Sequence, residues 1–145
     1  MQTPQGYNRM GMMVPYDLAL PGGIMPNLLI TIVGEPIDGD GRFSVNFMKG
    51  SDLVFHFNPR MPEQTIVRNS YLGGSWGTEE CDGGFPFAPG RQFELKILVE
   101  VDSFKVAVDS THVLEFQHRM GGLEEVTLVQ ISGDLQLSSA TASMI

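Results

Sequence analysis

The feature that most constrains this chain is a series of short runs rich in Val, Ile, Leu and Phe, separated by turn residues at intervals of about ten residues. Helical periodicity is nearly absent, and the best helical candidate is a turn at residues 121–126. The spacing is typical of an all-β sandwich or barrel. The predicted strands cover residues 28–33, 43–48, 53–57, 65–69, 93–99, 104–108, 112–117, 126–131 and 135–137.

Glycine and proline account for the turns between these strands. The 145 residues include 17 Gly and 9 Pro, more than the roughly 12% that average proteins contain. Between Val14 and Pro26 they exclude a helix and predict an extended lead-in. Residues 1–13 show no period and predict a short flexible N-terminal segment before one domain at residues 14–145, although residues 10–14 could instead pack on that domain.

Charge and composition exclude several classes of function. The net charge is -8, and the residues after position 60 carry twelve acidic and five basic side chains, so a surface that follows nucleic-acid phosphates is not expected. No run approaches the roughly 18 apolar residues of a membrane span. The start of the chain lacks the pattern of a secretory signal, which favours synthesis in the cytosol. A single Cys excludes an internal disulfide, and neither a metal site nor a cofactor is expected.

One predicted strand carries a row of polar side chains. Along residues 53–60 side chains alternate between faces, so Phe55 and Phe57 lie on one side of the strand. His56, Asn58 and Arg60 lie on the other side, where they form a row of hydrogen-bonding groups. Any half-solvated surface strand has this pattern, so the strand alone does not predict a function.

Further polar and aromatic residues can reach the same face. If the next strand pairs antiparallel, Asn69 comes beside the row, and the Gly-rich turn that follows brings Trp76 and Glu79 to one end of it. A lone Trp more often fills a core, but this one lies in a polar segment and is predicted to be partly exposed. Sugars require such a mixture, because their C–H faces stack on aromatic rings while their hydroxyls donate and accept hydrogen bonds.

These residues fall in motifs that resemble those of the galectins, a family of β-galactoside-binding lectins. The motifs are H-x-N-P-R at residues 56–60, V-x-N at 67–69 and W-G-x-E-E at 76–80. The similarity covers about residues 13–145 and is greatest to the carbohydrate-recognition domain of the chimera-type galectin, through residues 14–16, 20–23, 85–87, 104–108, 131–134 and 144–145. It implies a jelly-roll β-sandwich of two antiparallel sheets with the sugar on a polar concave face.

The resemblance also implies roles for individual side chains. The polar row would engage the axial 4-hydroxyl of galactose, with its Arg also reaching the ring oxygen and the neighbouring sugar. Asn69 and Glu79 would bind the 6-hydroxyl, and Glu79 would also contact the second sugar. Trp76 would stack on the galactose ring. Arg42 either reaches sugars beyond galactose or is an ordinary surface charge. The implied carbohydrate site comprises His56, Asn58, Arg60, Asn69, Trp76, Glu79 and, at its margin, Arg42.

One position departs from the family pattern. Where the family motif has an Arg two residues after Glu79, this chain has Cys81. The resemblance implies that this Arg holds the carboxylate and binds the second sugar, so its loss is expected to weaken binding of lactose or N-acetyllactosamine by about 1.5–3 kcal/mol. A catalytic thiol is not expected, because no base is placed near it and its acidic neighbours raise its pKa. The thiol would be free or form an intermolecular disulfide.

Three classes of function remain to be compared. The first is a galactose-binding lectin without catalytic activity, and the second is a structural or protein-interaction protein of galectin fold with little or no sugar binding, which Cys81 favours. An enzyme has weak support, because Glu79 and Glu80 alternate between faces of the chain. The resemblance implies β-galactoside glycans of glycoproteins or glycolipids as partners, with cytoplasmic residence and non-classical secretion. Self-association stays open, because only a faint counterpart of the long chimera-type tail is present.

Overall fold

Alternating side chains and Gly-rich turns give an all-β architecture in the computed structural model, which describes residues 11–145. Eleven strands and one short 3₁₀ helix, Leu123–Glu125, make up this part of the chain. The strands are β1 Tyr16–Ala19, β2 Leu28–Pro36, β3 Phe43–Lys49, β4 Asp52–Arg60, β5 Thr65–Leu72, β6 Ser75–Trp76, β7 Phe93–Val99, β8 Ser103–Val108, β9 Thr111–Gln117, β10 Leu128–Gly133 and β11 Leu135–Met144.

The strands form two antiparallel sheets, as predicted. One sheet has six strands in the order β1-β10-β3-β4-β5-β6, and the other has five in the order β9-β8-β7-β2-β11. Every neighbouring pair within each sheet is antiparallel. The expected turn near residue 123 is the 3₁₀ helix.

The strand boundaries differ from the prediction at several strands. β2, β4 and β5 each end three residues later than predicted. β1 lies in the stretch predicted only as an extended lead-in, and β6 was not predicted. β10 begins at Leu128 rather than at residue 126. β11 runs for ten residues rather than three, because its Ser, Thr and Ala residues pair with β2 although they lack the large apolar side chains that mark a strand in sequence.

The core lies between the two sheets and is rich in phenylalanine. Phe55 of β4 stacks on Phe104 and Phe116 of the facing sheet, with ring centroids 4.7 and 4.6 Å apart. All three rings are fully buried, and such pairs add about 0.5–1.5 kcal/mol each to the burial of their area. The alternation of β4 therefore fixes which of its faces points into the core and leaves the other for polar side chains.

That opposite face of the six-stranded sheet carries polar residues in register. Asn69 of β5 lies opposite His56 of β4, which lies opposite Asn46 of β3. The same row continues to Gln130 of β10 and Asp17 of β1. The prediction that Asn69 comes beside the polar row of β4 is confirmed by this pairing.

The predicted N-terminal segment falls mostly outside the described residues, which begin at Gly11. Within it, Met12 forms an isolated bridge with Leu137, its backbone N–H donating to the carbonyl oxygen at 2.7 Å. The domain boundary at residue 14 therefore stays a prediction. No helix within residues 11–145 has the length and apolar character needed to cross a bilayer.

Candidate functional site

A groove of about 380 Å³ lies on the polar face of the six-stranded sheet, over β4, β5 and β6. It brings together five of the seven predicted site residues. Asn58 lies buried behind the lining and Arg42 lies outside it. The lining residues are His56, Arg60, Val67, Asn69, Trp76, Gly77 and Glu79.

Asn58 connects the groove to the backbone beneath it. Its side-chain Nδ2 donates to the carbonyl oxygen of Phe43 at 2.8 Å, and its Oδ1 accepts from Nε of Arg60 at 3.0 Å. No other hydrogen bond or ion pair within residues 11–145 uses the Arg60 guanidinium. The two terminal nitrogens of Arg60 are therefore available as donors in the groove.

His56 supplies an acceptor beside this donor. Burial and the neighbouring Arg60 lower its pKa from the ordinary 6.5 to about 4, although Glu79 acts in the opposite direction. The ring is therefore neutral near pH 7. Its Nδ1 lies 2.6 Å from Oδ1 of Asn46, and because an amide oxygen only accepts, Nδ1 carries the proton. Nε2 is then an acceptor.

Trp76 stands at one side of the groove on a tight hairpin. Gly73 and Gly74 connect β5 to β6 with φ angles of 61° and 86°, a left-handed pair that favours glycine and the twist of a two-residue hairpin. The indole lies 5.0 Å from the His56 ring and 5.1 Å from the Tyr71 ring, and Trp76 is 52% exposed. An aromatic face is thus presented to the groove, consistent with the predicted exposure of this residue.

Asn69 lies on β5 with its amide held in one orientation. Oδ1 accepts from the backbone N–H of Ser70 at 2.7 Å and from Nη1 of Arg119 at 2.8 Å. Nδ2 donates to the carbonyl oxygen of Gly77 at 2.9 Å. Because Arg119 can only donate, the oxygen of the amide must face it, which leaves the remaining hydrogen of Nδ2 for a ligand.

Glu79 lies in the groove without a cationic partner. No ion pair among residues 11–145 includes it, and its one side-chain contact there is the Sγ of Cys81, 3.7 Å from Oε1. Desolvation and the Glu79 carboxylate raise the pKa of the Cys81 thiol. The thiol is therefore protonated near pH 7 and is a weak donor to Glu79 in place of a guanidinium.

Arg42 lies outside the lining of the groove, and the described acidic residues form no metal-binding cluster. Arg42 pairs with Glu63 at 3.3 Å, and both side chains are about half exposed. This places Arg42 in a surface ion pair beside the groove. Within residues 11–145 no group of three or more His, Cys, Asp or Glu side chains is arranged to hold a metal ion.

Three side chains that support the site were not predicted from the sequence. Asn46 could have been found, because it alternates with Phe43, Val45 and Phe47 and so must share the polar face. Two arginines gave no such signal. They are Arg119, which contacts Asn69, and Arg68, which is buried and pairs with Asp82 at 2.8 Å.

Comparison with known proteins identifies the class to which this fold and groove belong. Residues 15–142 match the family model of the galactoside-binding lectins. Among solved structures, galectin LEC-6 of Caenorhabditis elegans superposes with a TM-score of 0.85 at 27% identity, covering 92% of this chain and 94% of that one. Sheep galectin-11 superposes with a TM-score of 0.83 at 27% identity, covering 91% and 99%. The chain belongs to the galactoside-binding lectins, the galectins, and has their jelly-roll β-sandwich fold.

Within the family the chain resembles the chimera-type recognition domain, as predicted. It is 49% identical to galectin-3 of Oryctolagus cuniculus over 135 residues, which cover 91% of this chain and 56% of that protein. It is 46% identical to galectin-3 of Mus musculus over 145 residues, which cover 98% and 55%. The chain thus spans little more than half the length of these relatives.

Proposed function

We propose that this protein is a β-galactoside-binding lectin and that its groove receives a galactose residue. The observation that supports this most strongly is the joint placement of His56, Arg60 and Trp76 around one groove. A neutral imidazole acceptor and a guanidinium with no ion pair among residues 11–145 flank a half-exposed indole. A sugar ring with polar edges and an apolar face requires this combination.

The polar row is the basis of the proposed selectivity for galactose. His56 Nε2 would accept a hydrogen bond from the axial 4-hydroxyl, and Arg60 would donate one to the same oxygen. Asn58 would support this contact by holding Arg60 in place. Glucose presents this hydroxyl equatorially, so these groups would lose their partner inside a partly desolvated site. Asn69 and Glu79 would bind the 6-hydroxyl, and Trp76 would stack on the ring.

The second sugar of a disaccharide is where affinity is expected to be reduced. Glu79 has a protonated thiol beside it instead of a cation, so a charge-assisted hydrogen bond is missing from this end of the groove. Arg42 forms an ion pair with Glu63. It would therefore contribute only to the binding of ligands that extend past galactose and that displace Glu63 from it.

Glu79 has no cationic partner among residues 11–145, which also favours one alternative, a galectin-fold protein with little or no sugar binding that acts through protein contacts. Retention on immobilised lactose separates the two functions. The lectin is retained on the column and is eluted by free lactose but not by glucose at the same concentration. Passage of folded protein through the column without delay would reject the lectin proposal and support the alternative.

The partners and the site of action belong to the same proposal. The groove is open at the protein surface, so it can receive a galactose of a glycan that is attached to a glycoprotein or glycolipid. Family resemblance is the ground on which cytoplasmic residence, non-classical secretion and self-association are included in the proposal.

A further inference from the structure

We infer that Arg119 is a positioning residue of the groove, which fixes Asn69 as a pure donor and holds the segment of residues 76–80 over the sheet. This inference rests on the proposed sugar binding. Arg119 follows β9 and is 50 residues from Asn69 in sequence, and it does not line the groove. It would therefore act on the ligand through other residues.

The guanidinium of Arg119 makes four hydrogen bonds with two of its nitrogens. Nη1 donates to Oδ1 of Asn69 at 2.8 Å and to Oγ of Ser70 at 3.0 Å. Nη2 donates to the carbonyl oxygen of Thr78 at 2.7 Å and to Oε2 of Glu80 at 2.9 Å. One planar side chain thus joins β5 to the segment that carries Trp76 and Glu79, an arrangement that the single nitrogen of lysine cannot reproduce.

The position of the guanidinium is itself fixed from below. Arg119 lies 4.6 Å from the centroid of the Phe116 ring, which is fully buried and stacks on Phe55 at 4.6 Å. Its side chain is 21% exposed, and three of its four hydrogen bonds are partly buried, whereas the one to Thr78 is exposed. The core therefore sets where the segment above it can lie.

Gly77 provides independent support for this close packing. A Cβ at position 77 would lie 2.9 Å from Nη1 of Arg119 and 3.2 Å from both Oδ1 of Asn69 and Oγ of Ser70. The glycine of the W-G motif is thus explained by the guanidinium beneath it rather than by an unusual backbone angle. Any larger residue at this position would have to push Arg119 away from Asn69.

The consequence for recognition concerns the direction of one hydrogen bond. Both lone pairs of Asn69 Oδ1 are occupied, by Ser70 N–H and by Arg119. One hydrogen of Nδ2 is donated to Gly77, so only the other can reach a ligand. Asn69 then recognises the 6-oxygen of galactose as an acceptor. Arg119 contributes to this selectivity together with Ser70 and Gly77, although Arg119 never touches the sugar.

The test is a thermodynamic cycle between Arg119→Lys and the 6-hydroxyl. Calorimetric titrations with lactose and with lactose lacking the 6-hydroxyl of its galactose give the discrimination factor of each variant. Wild type should discriminate by about tenfold, the worth of one hydrogen bond to a well-oriented group. Arg119→Lys should bind lactose about tenfold more weakly and discriminate by less than about threefold. Undiminished discrimination in Arg119→Lys would overturn the inference.

Two further variants separate positioning from general destabilisation. Gly77→Ala displaces the same guanidinium by a different route and should lose the same discrimination. Val106→Ala removes buried volume from β8 in the other sheet and lowers the free energy of unfolding, yet it should keep wild-type affinity and discrimination. Equal loss of discrimination in Val106→Ala would reduce Arg119 to a stabilising residue and overturn the inference.

A ligand-free measurement covers the case in which Arg119→Lys does not fold. In wild type, the side-chain amide of Asn69 should be as rigid as the backbone in ¹⁵N relaxation experiments, and a mobile amide would overturn the inference. Failure of the proposed function looks different. If wild type binds no lactose while the amide is rigid in wild type and mobile in Gly77→Ala, the sugar proposal fails and the positioning role of Arg119 stands.

Discussion

The two sides of the groove are built in different ways. On the β4 side, alternation and strand register place His56 and Arg60, and Asn58 ties Arg60 to the backbone of β3. On the side of the Gly73–Asp82 segment, Trp76 and Glu79 stand on a hairpin and a loop held by Arg119 from a distant part of the chain.

The two sides of the groove also differ in how strongly they are coupled to folding. Asn58 is 7% exposed, whereas Trp76 is 52% exposed. Changes on the β4 side should therefore reduce the free energy of unfolding and sugar affinity together, because the same atoms serve both. Changes to exposed residues of the Gly73–Asp82 segment should reduce affinity with little effect on stability.

Trp76→Ala should cause the largest loss of affinity, because it removes the aromatic face on which the sugar would stack. We expect lactose to bind about 100-fold more weakly, with a change of less than about 1 kcal/mol in the free energy of unfolding. Calorimetry and denaturant unfolding measure the two effects. Val101→Ala, a truncation of an exposed apolar residue away from the groove, is the control and should change neither. Affinity within threefold of wild type in Trp76→Ala would contradict this assignment.

Asn58→Ala should reduce both quantities and so test the other half of the comparison. The buried carbonyl of Phe43 and Nε of Arg60 would each lose a partner, which is expected to cost about 1–3 kcal/mol in the free energy of unfolding and about tenfold to thirtyfold in lactose affinity. Thr65→Ala, which removes an exposed hydrogen bond on β5, serves as the control. If Asn58→Ala weakens lactose binding without changing the free energy of unfolding, the β4 side is no more strongly coupled to folding than the Gly73–Asp82 side.

Cys81→Arg should raise affinity, because it would supply Glu79 with the cation that the described contacts lack. The Sγ position lies 3.7 Å from Oε1, so a longer side chain at this position can reach the carboxylate. A gain of about tenfold for lactose corresponds to one charge-assisted hydrogen bond. Cys81→Ser keeps the size without the charge and should leave affinity unchanged. If Cys81→Arg also leaves it unchanged, the explanation of this position is wrong.

The pH dependence should be the smallest effect over the usual working range. Lactose affinity should stay constant from about pH 7.5 to about pH 5 and fall by about half as pH reaches the His56 pKa of about 4, because protonated Nε2 cannot accept. His56→Gln keeps an acceptor that does not titrate and should remove the contribution of position 56 to this decline. An affinity that falls around pH 6.5 in wild type would contradict the buried, neutral ring.

The same pKa has a consequence for stability. The unfolded chain titrates near the ordinary value of 6.5, so between about pH 6.5 and about pH 4 it binds more protons at this residue than the folded chain does. The contribution of His56 to the free energy of unfolding is therefore complete above pH 6.5 and is lost as pH falls toward 4.

Alternation and motif spacing were sufficient to predict the β4 side of the groove. They placed Phe55 in the core and His56 on the opposite face, and strand pairing brought Asn69 beside it. They did not predict that Asn58 is buried, because period-two alternation distinguishes faces but not depth.

The support of the Gly73–Asp82 segment could not be predicted in the same way. Arg119 meets Thr78 across 41 residues of sequence, and Arg68 meets Asp82 after a turn in the chain. Contacts of this kind depend on how the end of β9 packs against β5. Local patterns of apolar and polar residues do not predict such packing between distant parts of the chain. The sequence could indicate that residue 81 departs from the motif, but not that Cys81 lies within thiol contact of Glu79.

A calorimetric comparison of lactose with cellobiose shows whether the groove recognises the axial 4-hydroxyl of galactose. The two disaccharides differ only in the orientation of the 4-hydroxyl on the nonreducing sugar, which is the group that His56 and Arg60 are proposed to recognise. We predict saturable one-site binding of lactose and binding of cellobiose at least about 100-fold weaker, the scale expected when partly buried polar groups lose their partner. Equal affinity for both sugars, or no binding of either by folded protein, would contradict the account.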